Sequence, residues 1–129
     1  MTELTDLFCT LARIPSPSMR EDAVAEQIIS YFHQNHIAAR RDDFGNIYAE
    51  IPATDPSKQP LMLSAHMDVV GDSSPVNIIA ENNILKTDGK RTLGADDKAG
   101  VAAAMLLAKT VAEDKNLKHG GLEIAFTRD

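Results

Sequence analysis

Leu61-Met62-Leu63-Ser64-Ala65-His66-Met67-Asp68 is the stretch from which the fold can be read. Its first five residues are almost continuously apolar, as in a strand covered on both faces, and this strand is expected at the sheet centre. Its polar residues come at the carboxyl end, where open α/β sheets place their sites. His66 and Asp68 stand two apart, so in a continuing strand both side chains leave the same face.

Downstream, Asp97 to about Glu113 is Ala-rich, with Val101, Ala104, Met105, Ala108 and Ala112 on one stripe and Leu106 and Leu107 beside it. A buried helix is expected there. Between strand and helix, Ile78–Glu81 and Ile84–Lys86 flank Asn82-Asn83, and Asn tolerates the positive φ angles of a tight hairpin. Leu122, Ile124 and Phe126 alternate with Glu123, Ala125 and Thr127, giving a final strand after His119-Gly120-Gly121.

Upstream, Leu4, Leu7, Phe8 and Leu11 mark an amphipathic helix that must end by Ile14, because Pro15 follows. Ser18-Met19-Arg20-Glu21 has capping-box spacing and predicts a second helix to about Asn35, with Val24, Ile28, Tyr31 and Phe32 facing the core. Two short strands, 38–42 and 46–51, are separated by Phe44-Gly45, and the Pro-containing stretch 52–60 reads as an exposed loop. Helices interleaved with strands give an α/β domain, with helices on a mixed central sheet.

A chain of 129 residues fits one domain. Its 43% hydrophobic and 25% charged content is globular rather than disordered. A net charge of −6 without any Lys/Arg cluster argues against a nucleic-acid partner. The acidic start lacks a secretory signal, and no apolar run approaches the ~20 residues that cross a bilayer, so no membrane association is expected. The single cysteine, Cys9, fits a reducing compartment and a cytoplasmic location. In an apolar helix with no neighbouring base, Cys9 reads as a structural thiol.

The chemistry concentrates in two motifs. Asp68 can accept a hydrogen bond from one imidazole nitrogen of His66 while the other nitrogen faces a metal, an arrangement that fixes the tautomer and strengthens the ligand. About thirty residues on, in Gly94-Ala95-Asp96-Asp97-Lys98-Ala99-Gly100, Asp96 stands at the mouth of the Ala-rich helix, where free N–H groups favour anionic oxygens. A carboxylate can ligate two metal ions at the ~3.5–4 Å spacing of two-metal hydrolases. Asp97 competes for that role but is expected to cap or turn outward, and Lys98 is a partner for either carboxylate. Taken singly, His-x-Asp occurs by chance and Asp-Asp before a helix is an ordinary cap. Together, in this order and at the ends of sheet elements, they point to metal chemistry. His33 and His36, three apart at the end of the second helix, could chelate a metal but read as solvated residues favourable to the helix dipole; His119 reads as a loop residue and Asp42-Asp43 as a charged strand end.

Ser64-Ala65-His66-Met67-Asp68-Val69-Val70, Thr87-Asp88-Gly89, Leu93 to Ala102 and Ile124-Ala125-Phe126-Thr127-Arg128-Asp129 resemble the peptidase T (tripeptide aminopeptidase) branch of the co-catalytic di-zinc metallopeptidases. That broad family also holds carboxypeptidase G and aminoacylases. Ile14-Pro15-Ser16-Pro17-Ser18 and Phe44-Gly45-Asn46 fit it too, so the resemblance spans the chain. It implies a zinc-exopeptidase-like catalytic domain, two zinc ions, and hydrolysis of short peptides by a water shared between the metals. His66 is implied as a zinc ligand, Asp68 as its orienting catalytic partner and Asp96 as the bridging ligand. Asp88 is matched without a derivable role.

In that family the strand ending in Phe-Thr-x-Asp runs into a Glu-Glu pair, general base and zinc ligand, followed by a later acidic ligand and a second His. None of these, nor the lid and dimerisation domain, lies within residues 1–129. The resemblance therefore implies the N-terminal portion of the catalytic domain, with weak zinc binding and no peptidase activity by itself. An uncovered apolar edge at the 122–127 strand is expected to promote self-association. Two rival readings stand beside this one: another N-acyl amino acid or peptide amidohydrolase of the same family, and a stand-alone non-catalytic module.

Overall fold

The computed structural model describes all 129 residues. Three helices, α1 (Glu3–Ala12), α2 (Asp22–Gln34) and α3 (Ala95–Glu113), accompany six strands. The strands are β1 (Ala38–Arg41), β2 (Ile47–Ile51), β3 (Leu61–His66), β4 (Ile78–Glu81), β5 (Ile84–Thr87) and β6 (Leu122–Thr127). The α/β class and every expected element are present.

α1 begins where the Thr2 hydroxyl accepts from the Thr5 N–H at 3.2 Å and stops ahead of Pro15, burying Leu7, Phe8 and Leu11 while Leu4 stays exposed. α2 buries Val24, Ile28 and Phe32 as its periodicity requires, but its start differs from the expected capping box. Glu21 occupies the N-cap position without any side-chain cap. Its buried carboxylate instead accepts from Met19 N at 2.9 Å and from Arg128 Nε at 3.0 Å. A buried carboxylate needs a cation as well as neutral donors, and the end of β6 supplies one. Ser18, released from capping, turns to Asp68.

The main sheet has the order β1-β2-β6-β3, with β6 antiparallel to β2 and parallel to β3. This corrects the expected place of β3, which is an edge strand, with Leu61 and Met62 each 56% exposed. The centre belongs to β6, whose Leu122, Ile124 and Phe126 are all buried. It follows that β6 has neighbours on both sides, and the unpaired edge expected there lies on β3 instead. Nor is β3 covered on both faces as expected: of Leu61 to Ala65 only Ala65 is buried and Leu63 half-buried, so an apolar run marks surface that can be packed, and neither which faces are covered nor which strands lie alongside.

The turn from β1 to β2 is tied by Asp42, whose carboxylate accepts from the Gly45 and Asn46 N–H groups, both at 2.8 Å. Asp42 is thus a turn anchor rather than only a charged strand end. Gly45 sits at φ +111°, and a Cβ there would meet Arg128 Cδ at 2.8 Å. Asn82 and Asn83 both adopt left-handed φ in the β4–β5 hairpin, as their residue type suggested. Helices α1 and α3 pack together, and the core runs from Leu11 and Ile28 through Met105 to a stacked Phe32–Phe126 pair with centroids 6.2 Å apart. No helix is long and apolar enough to cross a membrane.

Candidate metal centre

His66 is the last residue of β3, and the Met67 N–H prolongs the ladder by donating to Thr127 O at 2.9 Å. Beyond that point the chain is pinned rather than extended: Val69 N donates to Ser16 O at 2.9 Å, and the Ser16 hydroxyl donates to Met67 O at 2.8 Å. Held in this way, the Asp68 carboxylate folds back so that Oδ1 lies 3.0 Å from His66 Nδ1, with the Asp68 carbonyl oxygen at 2.9 Å from the same nitrogen. The opposite ring nitrogen, Nε2, lies 3.1 Å from Asp96 Oδ1. The three residues singled out in the sequence are therefore in one place, at the carboxyl end of β3.

Asp96 reaches His66 through backbone geometry that precedes the regular part of α3. Gly94 has φ +77°, and a Cβ at that position would meet Val69 Cγ1 at 3.0 Å. Asp96 and Asp97 have non-helical dihedrals, and the peptide between them is cis. Asp97 caps, accepting from the Gly100 N–H at 3.2 Å. Its competitor Asp96 projects outward with a side chain 96% exposed, leaving its second oxygen open.

The electrostatics follow from these contacts. Partial burial opposes a charged His66 ring, but the Asp96 carboxylate on Nε2 and the Asp68 backbone and carboxylate on Nδ1 together outweigh it, so the ring's pKa is held above 6.5. Lys98 departs from expectation, because it pairs with neither carboxylate. Its buried ammonium donates to Ile14 O, and burial, with the charge of Arg91 adding, pushes its pKa down to about 8. The carbonyl of a loop that the core encloses is a nearer partner than an aspartate turned to solvent.

His66 Nε2 and Asp96 Oδ1 could share a metal ion. Two donors around a tetrahedral zinc at ~2.0–2.1 Å lie about 3.3 Å apart, close to the 3.1 Å found here, and Asp68 supplies the carboxylate that metal-binding imidazoles use on their other nitrogen. No group of three or more His, Cys, Asp or Glu side chains is placed to hold an ion, so the pair fits as part of a ligand set.

The remaining polar residues have local duties. Asp88 accepts from Asn77 Nδ2 at 2.9 Å and from Lys90 N at 3.0 Å, closing the base of the β4–β5 hairpin. His33 lies 3.2 Å from Ala39 O, and His119 ties its turn to the 52–60 loop, its N–H donating to Thr54 Oγ1 at 2.9 Å and its carbonyl accepting from the Thr54 and Asp55 N–H groups. Cys9 is buried. The sequence reading missed the loop of residues 14–21 as part of the site. Ser16, Ser18 and Glu21 all make contacts far along the chain, and the Ser18–Glu21 spacing suggested a purely local role.

The family model described as Peptidase family M28 matches residues 46–129, well over half of the chain. The chain belongs to peptidase family M28. It is 32% identical to the Cytosol non-specific dipeptidase of Escherichia coli (strain K12) over 136 residues, covering 96% of this chain and 27% of that protein. Peptidase T of Escherichia coli O1:K1 / APEC is 52% identical over 46 residues, which is 36% of this chain and 11% of that protein. In structure, the aminopeptidase PepT from Bacillus cereus ATCC 10987 superposes with a TM-score of 0.87 at 28% identity, covering 97% of this chain and 35% of that one. The peptidase T resemblance read from the motifs holds, and so does the α/β fold of a peptidase catalytic domain. The chain spans 27% of the length of the dipeptidase and 35% of that of the Bacillus cereus aminopeptidase.

Proposed function

We propose that residues 1–129 form the N-terminal portion of the catalytic domain of a zinc-dependent, peptidase T-like aminopeptidase that hydrolyses short peptides. The carrying observation is the imidazole of His66, held on Nδ1 by Asp68 and facing Asp96 on Nε2, at the carboxyl end of a sheet strand. His66 and Asp96 are the residues that would hold metal, Asp96 with an oxygen to spare for a second ion, and Asp68 orients His66. Two zinc ions there would supply Lewis-acid polarisation of an amide carbonyl and a nucleophile at neutral pH. Residues 1–129 alone contribute fewer than the three protein ligands a catalytic zinc takes, so by themselves they bind zinc weakly and do not hydrolyse peptides. The name of the E. coli relative and the buried free thiol of Cys9 support a cytoplasmic setting.

The observations favour two substrate lengths. The match to a dipeptidase runs along nearly the whole chain, whereas the match to peptidase T is tighter but shorter. Assay of the full gene product with zinc against matched dipeptides and tripeptides decides between them. His66→Ala and Asp96→Ala are expected to abolish turnover, and Asp68→Asn to lower kcat/KM by about 10–100-fold, the usual cost of losing an outer-shell partner. Peptide hydrolysis that survives His66→Ala would sink the proposal.

A further inference from the structure

We infer that Ser18 is a positioning residue for this site, acting on His66 through Asp68. The inference rests on the metal-site reading above. The Ser18 hydroxyl donates to Asp68 Oδ2 at 2.9 Å, while the other oxygen of the same carboxylate, Oδ1, faces His66 Nδ1 at 3.0 Å. Each carboxylate oxygen thus has its own partner, and the plane of the carboxylate is set by two contacts rather than one. A carboxylate held only by the ring could swing about its own side-chain torsions and leave the imidazole unoriented.

The placement of Ser18 is itself determined. The loop that carries it is tied at one end by Lys98 Nζ donating to Ile14 O, and at the other by Arg128, which donates to Met19 O at 2.6 Å and to Glu21 Oε2 at 3.0 Å. Between these anchors, Ser16 exchanges hydrogen bonds with the strand extension on both sides of Asp68, its hydroxyl donating to Met67 O at 2.8 Å and its carbonyl accepting from Val69 N–H at 2.9 Å. The loop is therefore stitched to residues 67–69 by three consecutive contacts, of which two fasten their main chain. The third, from Ser18, reaches a side chain: the Asp68 side chain is only 20% exposed, while Ser18 itself is exposed. With little of the Asp68 side chain open to water, the Ser18 hydroxyl is the partner that fixes Oδ2, and its loss frees the carboxylate to turn.

The test uses the 129-residue chain in its metal-free and zinc-titrated forms. In the metal-free chain, three-bond couplings measured by NMR should show one Asp68 χ1 rotamer in the wild type, rotamer averaging in Ser18→Ala, and a single rotamer again in Ser18→Thr. An Asp68 rotamer left unchanged by Ser18→Ala overturns the inference. Zinc titration then separates positioning from simple loop support. Ser18→Ala should weaken zinc by about 10-fold and Asp68→Ala by about 10–100-fold, with the double variant no weaker than Asp68→Ala alone. Additive losses overturn the inference, because they show Ser18 acting by a route other than Asp68. Failure of the metal-site reading is seen separately, as a wild-type chain whose His66 signals do not respond to zinc.

Discussion

Arg128 and Glu21 join the last strand to the start of α2: Nε donates to Oε2 at 3.0 Å, and the carboxylate is completely buried. The same guanidinium also donates to Met19 O and Phe44 O, while Arg128 N donates to Asn46 Oδ1 at 2.9 Å. Removing one member of a buried pair strands the other charge. Arg128→Ala is expected to lower stability by about 3–5 kcal/mol, measured by urea unfolding, and the Glu21→Gln/Arg128→Met double variant to lose much less. A double variant as unstable as Arg128→Ala would show that the pair is not what the fold depends on.

Gly94→Ala places a Cβ against Val69 at a φ of +77°. Left-handed geometry costs a residue with a side chain roughly 1–2 kcal/mol, and the contact adds to that. The expected result is a lowered urea midpoint together with weaker zinc binding, because Gly94 sets the approach of Asp96. Unchanged zinc binding would separate the backbone of Gly94 from the site.

Calorimetric zinc titration of the 129-residue chain is expected to give weak binding that vanishes in His66→Ala and Asp96→Ala. Tight binding, lost in both variants, would mean that two copies of the chain complete one site between them.

The Asn46 side chain first of all, with the Asn46 and Gly45 N–H groups and the Tyr48 hydroxyl, outweighs the opposing effect of burial and holds the Asp42 carboxyl below its ordinary value of 3.8. A depressed folded pKa means that the unfolded chain takes up the proton first. The stability Asp42 contributes is therefore whole above pH 3.8 and lost as pH falls through the lower folded value. Asp42→Asn should flatten the fall in urea midpoint across that acid window. An identical acid profile in the variant would assign the loss to other carboxylates.

The free edge of β3, with Met62 exposed on it, is the place where a second strand could add. Concentration-dependent association in light scattering is expected, and Met62→Lys should reduce it. A monomer over the whole accessible concentration range would remove the edge from consideration.

Local chemistry was legible in the sequence and non-local partnership was not. Asn82-Asn83 announced their hairpin because positive φ is a property of the residues themselves. His66, Asp68 and Asp96 could be read because spacing and element ends bring them together. The partners of Ser18 and Glu21, 50 and 107 residues away, left no local trace, and the local capping pattern pointed elsewhere. The near-continuous apolar run Leu61 to Ala65 suggests a central β3, yet apolarity does not say which strand provides the next ladder. Sequence proximity suggests an aspartate as the partner of Lys98, whereas burial and the carbonyl of Ile14 decide its contact.

Because β6 comes last in chain order yet lies between β2 and β3, a nascent chain must reach residue 127 before its two half-sheets have anything to join them. Until then β1–β2 and β3 remain separate, with β2 and β3 each presenting an unpaired flank, and His66 lacks its register partner Thr127. The closing event is long-range, which slows folding and leaves the growing polypeptide exposed to aggregation and chaperone capture until synthesis has passed this strand.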